Sequence, residues 1–140
     1  MIDLFPEGPY WVIDFLPEQV PENSPGQFFA VEKYFLQPAR LGELRRRFAE
    51  ILLKLSCYYE IRVCSPEGEQ EEIDPDPEAL SARIHEAKED LLITFPAEGS
   101  LITLNRDDLY MTVYRPSEAL LERVKALALS EGLFLRGPKQ

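Results

Sequence analysis

The chain has 140 residues, enough for one domain that buries about 68 to 70% of the surface its unfolded form exposes. Its hydrophobic content of 45% and charged content of 29% are those of an ordinary globular protein and argue against disorder. A net charge of −10 sets the surface against nucleic-acid and membrane phosphates and favours basic protein partners, besides serving solubility.

The charge is unevenly spread. Residues 1–32 hold six acids and residues 63–82 hold seven, neither stretch having a Lys or Arg, whereas residues 33–62 carry seven basic groups against three acids. The opening Met-Ile-Asp-Leu-Phe-Pro-Glu places no positive charge before an apolar run, and no run approaches the roughly 18 apolar residues of a membrane span. These features lead us to expect a cytoplasmic protein that is not bound to membrane. Cys57 and Cys64 lie roughly 23 Å apart if the chain between them is extended, too far for a disulfide, so both are expected as free thiols.

In chain order, residues 10–16 (Tyr-Trp-Val-Ile-Asp-Phe-Leu) are aromatic and β-branched between two prolines, which predicts a strand. Trp11, Ile13 and Phe15 share one face, and Tyr10, Val12, Asp14 and Leu16 the other. Asp14 among apolar neighbours needs a donor or cation, for which a loop amide or Lys33 is the expected partner. The prolines of residues 17–26 make a loop. Gln27 to Leu36 reads as a second strand in a long-looped hairpin. Its aromatics, Phe29 and Tyr34 among them, join Trp11 as more apolar surface than a strand pair with one wet face hides, to be absorbed by core, partner or groove.

A helix is predicted over Ala39 to Ser56, with Leu41, Leu44, Phe48, Ile51, Leu52 and Leu55 on one stripe. Arg45, Arg46 and Arg47 span about 200° of it and read as a solvated face. Tyr58 to Val63 alternates as a strand, Tyr59, Ile61 and Val63 facing in. The acidic loop that follows, with Glu67, Glu69, Glu71, Glu72 and Asp74, lacks the glycine and terminal acid of a calcium loop. Asp76, Pro77 and Glu78 instead start a helix to Lys88. That helix carries His85, the only histidine, at the edge of its apolar stripe.

Strands follow at Leu91 to Phe95, Ser100 to Asn105 and Leu109 to Tyr114, with Asp107 and Asp108 in a turn before the last. Leu109, Met111 and Val113 point inward, leaving Tyr110, Thr112 and Tyr114 as an outer row suited to sheet surface or to binding. Ser117 caps a helix to Glu131, Gly132 stops it, a strand covers Leu133 to Leu135, and Gly-Pro-Lys-Gln is a tail. This strand, helix, strand order and a similar one at residues 34–66 suggest a pseudo-repeat.

The chain contains no nucleophile elbow, phosphate loop, dinucleotide fingerprint or His-Glu-x-x-His. No cofactor and no metal is therefore expected, and an enzyme is the lesser expectation. The fold expected is a single α+β domain, with a mostly antiparallel sheet of about six to seven strands and three helices on one side. The function expected is a non-enzymatic module binding a basic or aromatic-rich protein through Glu67, Glu69, Glu71, Glu72, Asp74, Trp11, Phe29 and Tyr34. Small immunity-type inhibitors or adaptors offer an analogy of size and charge only. The alternatives are a homodimer through the aromatic strands, or a ligand-binding domain or enzyme whose pocket gathers Asp14, Tyr34, His85 and Tyr114.

Overall fold

A computed structural model describes residues 8–67, 71–86 and 88–139. The elements are β1 (Tyr10–Asp14), α1 (Phe28–Phe35), α2 (Pro38–Leu55), β2 (Arg62–Cys64), β3 (Glu72–Ile73), α3 (Pro77–Glu86), β4 (Leu91–Phe95), β5 (Ser100–Leu104), β6 (Tyr110–Tyr114), α4 (Glu118–Ser130) and β7 (Phe134–Lys139). The seven strands form one sheet in the order β3-β2-β4-β5-β6-β1-β7, with every neighbouring pair antiparallel. The architecture is the expected α+β domain, with four helices among the described residues rather than three.

The period-two pattern of the strands divides the sheet into two chemically different faces. Ile13, Val63, Ile93, Ile102, Met111 and Val113 occupy one face, all fully buried. They join Leu44, Phe48, Ile51, Leu52 and Leu55 of α2, Leu80 and Ile84 of α3, and Leu120, Val124 and Ala128 of α4 in one core cluster. Each such large side chain contributes about 1.5–3 kcal/mol on burial. Helix starts behave as the sequence indicates: Ser117 Oγ accepts from Leu120 N at 3.1 Å, and Asp76 Oδ2 accepts from Ala79 N at 3.2 Å. Gly132, at φ +74°, ends α4 in a backbone region that disfavours other residues.

Four local expectations are corrected. Gln27 to Leu36 is not a strand: residues 28–35 are α1, and its half-buried positions Phe28, Val31, Glu32 and Phe35 recur at helical spacing. The echo of the strand, helix, strand order disappears with it, since α2 is preceded by a helix. At the other end, β6 and β7 run in the same direction but are separated by β1, so α4 carries the chain over an intervening strand.

Second, Arg45 is not solvated but 0% exposed within α2, while Arg46 and Arg47 remain outside beside Glu43. Third, part of the acidic loop is the short strand β3. Fourth, Gly137, Pro138 and Lys139 are no tail. They belong to β7, an edge strand, where a proline leaves no ladder donor missing. The register slips between Tyr10 and Val12, which pair with Lys139 and Arg136, so β7 carries one extra residue there.

Candidate functional site

The second face of the sheet is where the chemistry collects. Cross-strand pairing aligns Thr103, Thr112, Val12 and Arg136 in one row, and Leu101, Tyr114, Tyr10 and Lys139 in the next. Tyr110 stands opposite Asp14 in a third. These rows, Leu101 apart, floor a cleft of about 550 Å³, closed at one side by Phe28 and Glu32 of α1 and rimmed by Asp107 and Asp108 of the β5–β6 turn. The outer row read from β6 is thus part of the floor, in which Thr112 and its neighbour Thr103 on β5 are the buried members.

Asp14 meets a cation, though not Lys33. Its Oδ2 accepts from Arg136 Nη2, and its Oδ1 accepts from Phe15 N at 2.7 Å. Both side chains are nearly buried, and among the described residues Arg136 Nε has no hydrogen-bond partner. Tyr10 and Tyr114 lie with ring centroids 5.9 Å apart. The Tyr110 hydroxyl is held above the ordinary tyrosine pKa, first by burial and then by the Asp108 carboxylate. Tyr114 is raised too, chiefly by burial, against a hydrogen bond with Thr103 that lowers it. Both phenols therefore stay protonated through the neutral range and remain donors.

The turn holding the rim acids is fixed from beneath. Arg45 Nη2 donates to Asn105 O at 2.9 Å, Asn105 Nδ2 donates to Asp108 Oδ2 at 3.0 Å, and Arg106 N donates to Asp90 Oδ1 at 2.9 Å. Burial lowers the Arg45 pKa, opposed by Asp107, Asp108 and Asp90. Asp107 and Asp108 are turn formers, as the sequence suggests, and line the cleft as well.

Of the alternative pocket, Asp14 and Tyr114 come together here. Tyr34 does not line the cleft: it is exposed on α1 with Arg40 over its ring at 4.9 Å. His85 is exposed on α3, its ring packed so that a Cβ on Gly42 would stand 3.1 Å from Cε1. Of the expected partner surface, Glu71 pairs with Arg62 at 3.4 Å and Glu72 with Arg83 at 3.0 Å. Asp74 Oδ1 accepts from Ile61 N at 3.0 Å, Glu67 is exposed, and Glu69 lies outside the described residues. Trp11 packs on the core side against Gly137, whereas Phe29 is 79% exposed.

The residues the sequence reading missed are Arg136, Lys139, Glu32 and Phe28. The first two stood in or beside a presumed tail, and the other two in a presumed strand. The Phe28, Val31, Phe35 spacing was the available signal. Among the described residues no group of three or more His, Cys, Asp or Glu is placed to hold a metal ion, and no helix is long and apolar enough to cross a membrane. No family model matches the chain, and neither does any curated protein or solved structure.

Proposed function

We propose that this chain is a non-enzymatic, cytoplasmic protein-binding module whose tyrosine-floored cleft receives a basic segment of a protein partner. The observation that carries this reading is the composition of the cleft wall. Asp14, Glu32, Asp107 and Asp108 face Arg136 and Lys139, and the Asp14–Arg136 pair offsets itself, so acids exceed bases on the remaining wall. Tyrosine faces add cation–π attraction and tyrosine hydroxyls add directed hydrogen bonds, at little conformational cost. Asp14 and Glu32 come from the acidic first segment, so part of the charge pattern in the sequence becomes one surface in the fold. The acidic stretch at Glu67–Asp76 is the weaker contact surface, because Glu71 and Glu72 already have arginine partners.

A cleft of this volume also lies within the range of small-molecule sites, which supports the second reading of a ligand-binding domain. The test is titration with a short arginine- and lysine-rich peptide at low and high salt, beside spermidine as a small polycation. Peptide binding that weakens with salt and with Asp107→Asn and Glu32→Gln supports the module. Spermidine binding as tightly as the peptide selects the small ligand, and salt-independent or absent peptide binding removes the electrostatic reading.

A further inference from the structure

We infer that the cleft continues beyond the Asp14–Arg136 pair into an apolar subsite between residues 16–26 and α1, so that the partner segment carries a bulky apolar side chain beside its cationic one. This rests on the protein-binding reading above. The continuation is a hollow of about 300 Å³ that shares Asp14, Gln19, Phe28 and Arg136 with the cleft. Its remaining wall is mainly Leu16, Val20 and Pro21 on the loop side and Phe29 on α1, with Glu18 and Glu22 continuing the acidic border.

Two features of the hollow favour an apolar anchor. Phe29 is 79% exposed and sits edge-on to Phe28 at 5.7 Å, in a helix that buries none of its residues. Such a ring has apolar area to bury against an inserted side chain. The loop wall is also set in advance. Pro17, Pro21 and Pro25 restrict it, Ser24 N donates to Pro21 O at 3.1 Å, and Lys139 Nζ donates to Gln19 Oε1 at 2.9 Å. A hollow held open this way has less conformational freedom to lose on binding. Its continuity with an acid-rimmed cleft places the apolar and cationic groups on one segment.

The test compares two short peptides, one with two arginines followed by leucine and phenylalanine, the other with serine at the two apolar positions. Calorimetry on the full chain should show the first binding about tenfold tighter. Phe29→Ser, at an exposed position, should erase that difference while leaving the serine peptide unchanged, and Val20→Gln should narrow it. Equal binding of the two peptides overturns the subsite and leaves the basic-partner reading standing. Binding of neither peptide removes both. Self-association broken by Phe29→Ser assigns the hollow to a second copy of this chain and also overturns the inference.

Discussion

Asp14 and Arg136 stand 122 positions apart in the chain and meet diagonally across β1 and β7, the guanidinium donating from Nη2 to the carboxylate Oδ2. The pair ties the first strand to the last and forms the floor shared by the cleft and the hollow beside it. Removing one member leaves the other charge nearly buried without its counter-ion. Asp14→Ala and Arg136→Ala should each cost about 3 kcal/mol in urea unfolding. The double variant should cost clearly less than their sum, and strict additivity would show that the two side chains are not coupled.

Arg45 presents a different balance. It is buried with a single hydrogen bond among the described residues, which leave its Nε and Nη1 unpartnered, and the Asn105 carbonyl it serves belongs to an exposed residue that water can solvate. Arg45→Met keeps much of the volume and removes the desolvated charge, so its stability should remain within about 1 kcal/mol of the parent. Arg45→Ala adds a cavity and should cost about 3 kcal/mol. Equal losses in both variants, measured by thermal and chemical unfolding, would assign the effect to charge rather than packing.

The raised phenols make stability fall at alkaline pH. Tyr110, Tyr114 and the Cys64 thiol all have folded-state pKa values above their unfolded ones, with burial the first cause in each. Their contributions are fully present below the unfolded values and are lost as pH rises through the folded ones, because the unfolded chain releases its protons first. The decline should begin near pH 9 for the thiol and about pH 10 for the tyrosines. In a Cys64→Ala background, Tyr110→Phe with Tyr114→Phe should flatten the remaining slope above about pH 10. A slope unchanged by these substitutions would place the titrating groups elsewhere.

Gly137 is a position where only the absence of a side chain fits. Its φ is +139°, and a Cβ would lie 2.9 Å from Trp11 Cδ1 and 3.1 Å from the Trp11 Cα. The backbone atom cannot rotate away as a side chain can. Gly137→Ala should therefore lower stability by about 2 kcal/mol and shift the emission of Trp11, the single tryptophan. Unchanged emission together with unchanged stability would show that the approach of β7 to β1 relaxes freely.

Elements whose burial follows one period are legible from residue order alone. Leu44 to Leu55 repeats every three or four residues and lies in α2; Met111 and Val113 of β6 alternate with Leu109 just before it, and all three are buried; Ser117 and Gly132 bound α4 through local hydrogen bonding and backbone freedom. These outcomes depend on neighbours a few residues away, which a linear reading contains. The other outcomes depend on contacts between distant segments. Phe28 to Phe35 is rich in strand-favouring aromatics, yet it is helical, with Phe35 against Phe15 at 5.0 Å and Phe28 with Glu32 over the cleft. Arg136 gained its role only when β7 was laid beside β1, and Arg45 was buried only when the β5–β6 turn came over α2. The tyrosine row was legible as an outer face, but its closure into a cleft depends on charges and rings from both ends of the chain. Those long-range pairings are set by the register of the whole sheet rather than by any local pattern.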